Sequence, residues 1–203
     1  MELQEALAQI AEIRAKISRT ETFRGYRSAT VALSGGLAGG AGVVQALLIP
    51  DPQQNIGAYL TLWISAAVLS LIVTGCEMAV RCRHAASPWT TRITLMAAEQ
   101  FLPCVLAGAL VTTVLVRVAR DSLWMLPGLW SILFGLGVFA SYRLLPRAVF
   151  WVGAFYLFAG ACLLASGPDG WALSPWAMAC TFGVGQFLGS AILYFTLERQ
   201  HEA

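Results

Sequence analysis

The chain has 203 residues, of which 58% are hydrophobic and 12% are charged, and its formal net charge at pH 7 is +2. With a mean hydropathy of +0.68, this composition excludes an ordinary soluble domain and predicts an integral membrane protein. The small net charge gives no reason to expect a nucleic-acid partner.

Residues 1–27 are predicted to form an N-terminal amphipathic helix on the cytoplasmic side. The apolar positions of residues 2–21 fall within an arc of about 120° of a helical projection, opposite the charged ones. Such a helix can lie among lipid headgroups, dock on the inner ends of the spanning helices, or pair with a partner helix. Arg14 interrupts the heptad that Leu3, Leu7, Ile10 and Ile17 would otherwise continue, which disfavours a long coiled coil.

Six apolar segments follow, each long enough to cross roughly 30 Å of hydrocarbon. They span about 28–49, 57–79, 94–116, 126–144, 147–166 and 174–197. The chain is therefore predicted to be all-α and polytopic, with a transmembrane domain over 28–197 in which six helices form three hairpins. Residues 198–203 are predicted to be a cytoplasmic tail.

The distribution of basic residues predicts the orientation in the membrane. With the N-terminus inside, the short outer loops hold two of the 13 Lys and Arg residues, Arg117 and Arg120, and the inner side holds the others. This asymmetry predicts that both termini are cytoplasmic. An arginine-rich, lysine-poor composition with abundant Ala and Gly suggests a GC-rich bacterial genome, so the expected location is the bacterial inner membrane.

One segment of the chain recurs 48 positions later. PGLWSILFGLGVF at 127–139 aligns with PWAMACTFGVGQF at 175–187, and the flanking Asp121 aligns with Asp169. The identities include Asp, Pro, Phe and Gly rather than only the common apolar residues, which favours a duplication of helical hairpins at about 94–144 and 145–197. Both repeated helices run in the same direction, which predicts parallel repeats. The first hairpin is a possible third copy, although it lacks the Pro and Phe-Gly pattern.

Small residues are predicted to hold the helices together, because lipid tails are as apolar as Leu and close backbone approach replaces the hydrophobic effect. The first helix has Gly35 and Gly39 at four-residue spacing. The two repeats carry glycines at matched positions, which are Gly135 and Gly137 in one copy and Gly183 and Gly185 in the other. Tight packing is the simpler interpretation, and a hinge or translocation path is the alternative.

Ionisable groups inside membrane segments are costly and therefore candidates for function. Glu77, Arg81 and His84 share one helical face, and Glu99 enters the third helix across a short loop. With the embedded amide Gln186, these residues define a possible polar vestibule that could relay protons or hold a cation. A salt-bridge cluster that anchors the hairpin is the alternative. Gln45 and Gln186 are otherwise expected to hydrogen-bond between helices.

No signature of an enzyme, metal site or cofactor site is present. The chain lacks HExxH, GxSxG and Walker A sequences, and the FGxGxF strings lie in apolar helices, where they cannot cradle phosphate. Cys76, Cys82 and His84 match no zinc-site spacing. The five cysteines are expected to be small buried apolar residues rather than a disulfide framework. We expect no enzymatic activity, no metal and no cofactor.

The chain carries FRGYR at 23–27, LPGLW at 126–130 and SPWAM at 174–178. With these segments it resembles, over its whole length, bacterial six-helix inner-membrane proteins of unassigned activity. The resemblance implies the topology and a bacterial origin, and it implies no substrate and no catalytic residue. We therefore predict a non-enzymatic module that senses, scaffolds or binds a partner in the bilayer, with a membrane protein or a second copy as that partner. A small transporter or channel for an ion or small molecule is the alternative.

Overall fold

A computed structural model describes residues 28–84, 88–142, 145–168 and 171–198 of the chain. Within these ranges the protein is helical and contains no strand. Six helices are long and apolar enough to cross a membrane, which confirms the prediction of an all-α, multi-pass protein. The predicted N-terminal helix at 1–27 lies outside the described residues, as does the tail from residue 199 onward.

The six long helices are connected by short segments, and three of these segments contain a 3-10 helix. The long helices are α1 (Ser28–Leu48), α2 (Ile56–His84), α3 (Pro88–Val118), α4 (Leu126–Ser141), α5 (Phe150–Ala165) and α6 (Pro175–Leu193). Short 3-10 helices precede α4 (Arg120–Met125) and α6 (Trp171–Leu173). A third 3-10 helix precedes α5 (Arg147–Val149), and a π-helical segment follows α6 (Tyr194–Glu198). We call the end of the bundle where α1 begins the proximal end, and the end that holds the 3-10 helices Arg120–Met125 and Trp171–Leu173 the distal end.

Proline marks the helix starts as the sequence predicts. Pro127 and Pro175 occupy the first turns of α4 and α6, where a missing N–H costs nothing because first-turn N–H groups have no intrahelical acceptor. Ser174 caps α6, since its hydroxyl accepts from the Ala177 N–H at 3.2 Å. This confirms the predicted Ser-Pro start of the last helix.

Two helices are longer than the apolar segments from which they were predicted. α2 has 29 residues and α3 has 31, whereas their apolar spans are Ile56–Val80 and Leu95–Val118. Both extend into the arginine-rich connection at the proximal end, because the extensions, residues 81–84 and 89–94, contain neither Gly nor Pro. Hydropathy marks where a helix leaves lipid and not where it ends.

The helices pack as two close pairs, with the other two helices at the periphery. α1 packs most extensively on α6, and α4 packs most extensively on α5; α3 lies against α4, and α2 lies against α1. Among the described residues α2 and α3 make few contacts with each other, although only residues 85–87 separate the two helices. Each span contains an 18-residue apolar stretch. The share of its residues that are buried is 11% for α2 and 0% for α3, compared with 28–39% for the other four spans. The interior is therefore built mainly by α1, α4, α5 and α6.

Glycines spaced seven residues apart form the close pairs. A Cβ added to Gly160 would lie 2.7 Å from the Gly128 carbonyl oxygen, and one added to Gly135 would lie 3.1 Å from the Gly153 carbonyl oxygen. α4 and α5 thus approach backbone to backbone at two points, two helical turns apart, and run antiparallel. Such close approach gives the van der Waals contact on which helix association in lipid depends.

α1 and α6 also approach each other closely at glycine positions. A Cβ added to Gly35 would lie 3.2 Å from the Gly183 carbonyl oxygen, and one added to Gly42 would lie 2.5 Å from the Ala179 Cβ. Seven residues again separate the two contact points on α1. Gly183 of α6 and Gly135 of α4 are equivalent positions of the sequence repeat, so the repeated helices meet their neighbours at the same place.

Candidate functional site

The residues of the predicted vestibule lie on three helices. Glu77 is half-buried on α2, and Glu99 is exposed on α3. Gln186 is half-buried on α6 against α1, where its Cβ lies 3.2 Å from the position of a Cβ on Gly35. Because α2 and α3 scarcely touch, the described residues bring no closed ring of polar groups together here. Arg81 and His84 belong to α2, but their side chains lie outside the described part of the structure.

Gln45 is the fully buried polar residue around which three segments meet. Its Nε2 donates to the Leu173 carbonyl oxygen at 2.8 Å, and its Oε1 accepts from the Trp63 indole N–H at 2.7 Å. The amide thereby joins α1 to α2 and to the 3-10 helix that precedes α6. Gln45 is 0% exposed and Trp63 is 4% exposed, so these hydrogen bonds are shielded from water and lipid. The sequence predicts this bridging role for Gln45 but does not identify its partners.

An aromatic cluster fills the space between α3, α4, α5 and α6. Phe134 contacts Phe182 edge to face with ring centroids 5.6 Å apart, and both rings contact Tyr156, at 4.7 and 5.4 Å. Phe101 adds a fourth ring at 5.2 Å from Phe134. Phe134 and Phe182 are equivalent residues of the repeat, so the two copies meet each other in the interior. These edge-to-face and tilted ring contacts fill the centre of the bundle with aromatic groups.

The second glycine of each repeat makes room for a ring of this cluster. A Cβ on Gly137 would lie 2.5 Å from the Phe101 ring, and a Cβ on Gly185 would lie 2.4 Å from the Tyr156 ring. Each repeated helix therefore has one glycine against a neighbouring backbone and, two residues later, one glycine against an aromatic ring of the preceding helix. Gly39, in contrast, has no described atom within 4 Å of its Cβ position.

The sequence analysis did not identify Gly128, Gly153 and Gly160 as packing residues, and it did not identify the rings of Phe101 and Tyr156. Only the glycines could have been detected from the sequence. Gly128 and Gly135 are seven residues apart, as are Gly153 and Gly160, and this spacing marks the face on which antiparallel helices touch. The four-residue spacings of the sequence analysis do not mark this face. The ring positions Phe101 and Tyr156 carry no comparable signal, because other aromatic residues of the six long helices, such as Phe158 and Phe187, are exposed.

One buried polar atom in the distal core has no hydrogen-bond partner among the described residues. The Tyr59 side chain is 0% exposed, and no described residue places a donor or an acceptor within reach of its hydroxyl oxygen. It packs in a cluster with Leu123, Leu126, Leu173 and Met178. A hydroxyl buried without a partner costs about 1–3 kcal/mol.

The described residues contain no group of three His, Cys, Asp or Glu side chains placed to hold a metal ion. All five cysteines are free thiols. The expectation that they are buried is wrong: Cys76 and Cys180 are exposed on α2 and α6, and Cys82, Cys104 and Cys162 are only partly buried. In a membrane helix a thiol is apolar enough to face lipid, so composition does not distinguish its two environments.

Comparisons with protein-family models, curated proteins and solved structures found no match for this chain. Its function is therefore argued from its own residues.

Proposed function

We propose that this chain is a non-enzymatic module of the bacterial inner membrane that senses, scaffolds or binds a partner, with both termini in the cytoplasm. The observation that carries the proposal is the contrast between a filled interior and two peripheral helices. The aromatic cluster of Phe101, Phe134, Tyr156 and Phe182 occupies the place where a transport pathway between α3, α4, α5 and α6 would run. Transport sites are usually lined by polar residues and broken helices, and polar residues are rare at this centre.

The proposed arrangement is three hairpins, α1–α2, α3–α4 and α5–α6, with an N-terminal amphipathic helix at 1–27 on the cytoplasmic side. The arrangement is supported by the contacts between hairpins. α4 packs on α5, and α6 packs on α1, in both cases through glycines that allow close approach of the two backbones. At the third junction between successive hairpins, the described residues of α2 and α3 make few contacts. A module that engages partners within the membrane would leave such a junction accessible.

The proposed orientation places the proximal end in the cytoplasm. Arg83 and Arg92 are exposed on the parts of α2 and α3 that extend beyond their apolar spans, and positive charge is retained on the cytoplasmic side. In a chain whose only cysteine is Cys82, beside Arg83, an impermeant thiol reagent should fail to label intact cells and should label inverted vesicles. A chain whose only cysteine comes from Gln54→Cys, at the distal end, should label in intact cells. The reverse pattern would overturn the orientation.

A flux experiment tests the proposed function against a transporter or channel. The purified chain in liposomes should give no ion current and no solute uptake above protein-free liposomes. The combined substitution Glu77→Gln and Glu99→Gln should change nothing, as should the control Asp51→Asn outside the apolar spans. A current or uptake that the double substitution abolishes and the control retains would overturn the proposal and assign the two carboxylates to a translocation path.

A further inference from the structure

The faces that α1 and α2 turn toward each other carry polar side chains beyond the Gln45–Trp63 hydrogen bond. Ser34 precedes Gln45 by 11 residues on α1, and Thr74 follows Trp63 by 11 residues on α2. Eleven residues make about three helical turns, so each of these hydroxyl residues shares a face with the hydrogen-bonded residue of its own helix. Both steps lead about 16 Å toward the proximal end at 1.5 Å per residue, because α1 begins at that end and α2 finishes there. Ser34 and Thr74 therefore lie opposite each other.

These two faces are closed at the Gln45–Trp63 bond and more open toward the proximal end. Gln45 and Trp63 are buried. Ser34 and Thr74 are only half-buried, and from residue 64 to residue 80 the structure describes no buried residue on α2. The two hydroxyls make no hydrogen bond to each other or to any other described residue. α1 and α2 thus diverge toward the proximal end and leave a space between them, which we call the α1–α2 cleft.

Gln186 of α6 lines the same cleft from a third side. The Cβ position of Gly35, which adjoins Ser34 in the chain, lies 3.2 Å from the Gln186 Cβ and 3.4 Å from the Phe187 ring. Phe187 is 53% exposed, so it marks the lipid side of the contact between α1 and α6. Gln186 is half-buried and lies about 100° away around α6, on the side of the bundle interior. Its amide is therefore at the depth of Ser34, on the inner side of α1.

The polar side chains of the cleft lack partners among the described residues. Ser70 lies one turn from Thr74 on the same face of α2 and is half-buried as well. Four side chains of the cleft form no hydrogen bond with a described residue: Ser34, Ser70, Thr74 and Gln186. All four lie inside apolar spans, where a hydroxyl usually donates to the carbonyl four residues earlier, as that of Thr61 does to Gly57 at 2.8 Å. Polar groups without partners are costly in hydrocarbon, so water or a polar ligand fills the cleft.

We propose that the α1–α2 cleft is a water-filled binding site that opens at the proximal end and takes a small uncharged solute with hydroxyl or amide groups. Its lining offers three hydroxyls and one amide, which together donate and accept hydrogen bonds and carry no charge. Glu77, one turn beyond Thr74 toward the opening, has an interaction of its own. The buried Gln45–Trp63 bond closes the distal end between the two helices, so a solute enters and leaves by the same opening. This inference rests on the proposed function and names what a sensing module of this kind binds.

The first experiment measures whether water reaches the cleft. In chains without other cysteines, reconstituted in liposomes with an impermeant thiol reagent on both sides, Thr74→Cys should react about tenfold faster than Ile72→Cys, because a thiol in apolar surroundings rarely ionises. Ile72 is the matched control, since it lies two residues from Thr74 on the opposite side of α2 and is 55% exposed. With reagent on one side only, Thr74→Cys should react from the side that labels Cys82. Equal rates at residues 72 and 74, or reaction from the other side, would overturn the inference.

The second experiment tests the ligand class on the same Thr74→Cys chain. Titration with glycerol or acetamide should slow the labelling by at least about twofold as the sites fill, and labelling of Cys82 should not slow. Ethanolamine and glycerol phosphate, which are small but charged, should not protect. Gln186→Leu should remove the protection and keep the fast labelling, and thermal unfolding verifies that each variant is folded. Absence of protection by both neutral solutes, or equal protection by the charged ones, would overturn the proposed site.

Failure of this inference is distinguishable from failure of the proposed function. A chain that shows neither fast labelling at residue 74 nor protection can still scaffold or bind a partner in the bilayer. Solute uptake into liposomes, in contrast, would overturn the proposed function even if Thr74→Cys reacts as expected.

Discussion

Replacing Gly160 by Ala tests whether backbone contact between α4 and α5 holds the bundle together. The added Cβ would lie 2.7 Å from the Gly128 carbonyl oxygen and 2.7 Å from the Ile132 Cγ1. Ordinary van der Waals contact begins at 3.4 Å, so the two helices must separate by about 0.7 Å at this point. That separation also loosens the second contact, between Gly135 and Gly153, because both helices are stiff.

The magnitude follows from two opposing terms. Overpacking of a close interface costs about 1–3 kcal/mol, and replacing Gly by Ala inside a helix returns up to about 1 kcal/mol. We expect Gly160→Ala to lower the free energy of unfolding by about 1–2 kcal/mol. Gly40→Ala is the matched control, since no described atom lies within 4 Å of its Cβ position. It should leave stability unchanged or raise it by up to about 1 kcal/mol.

The assay is reversible unfolding of the purified chain in mixed micelles with increasing denaturing detergent, followed by circular dichroism or tryptophan fluorescence. The informative quantity is the difference between the two variants, about 1–3 kcal/mol, because effects of Gly on the unfolded chain are common to both. If Gly160→Ala proves as stable as Gly40→Ala, the close approach of α4 and α5 is not what stabilises this fold.

Three further predictions concern the interior. Gly185→Ala should destabilise the fold by about 1–3 kcal/mol, because the added Cβ would meet the Tyr156 ring at 2.4 Å. Gly183→Ala should cost less than about 1 kcal/mol, because the nearest described neighbour of its Cβ position is 3.7 Å away. Leucine at either position should disrupt the fold. Gln45→Leu should cost about 2–4 kcal/mol, because two buried hydrogen bonds are lost and their partners stay unpaired. Tyr59→Phe should be neutral or should stabilise the protein by up to about 1–3 kcal/mol, because the removed hydroxyl has no described partner.

The same unfolding assay checks these predictions, each with its own control. For Gly185, a double-mutant cycle with Tyr156→Leu should give a coupling of about 0.5–3 kcal/mol, and a coupling near zero would show that the ring is not the obstacle. For Gln45, Gln186→Leu is the comparison, since Gln186 is only half-buried; equal losses would contradict the bridging role. For Tyr59, a clear loss of stability on removing the hydroxyl would mean that it is hydrogen-bonded in the membrane.

Several features of this protein follow from the sequence because the bilayer leaves little choice. A segment in lipid must satisfy its own backbone hydrogen bonds, so six apolar runs of sufficient length become six helices. Pro127, Pro175 and Ser174 mark helix starts through the chemistry of the first turn, which is local. The buried amide Gln45 had to find partners, because an unpaired amide in hydrocarbon is costly. These inferences needed no knowledge of which helices are neighbours.

The tertiary structure decided which side of each helix faces protein. In a soluble protein polarity separates the two sides, but here lipid and protein interior are both apolar, so Leu, Cys and Phe occur on either. α1 carries glycines at both four- and seven-residue spacing, and the antiparallel partner α6 selects Gly35 and Gly42. For the same reason the meeting of Phe134 with Phe182 could not be read from the repeat itself. The spacing of residues shows which of them share a helix face. Only the positions of the neighbouring helices determine whether that face contacts protein or lipid.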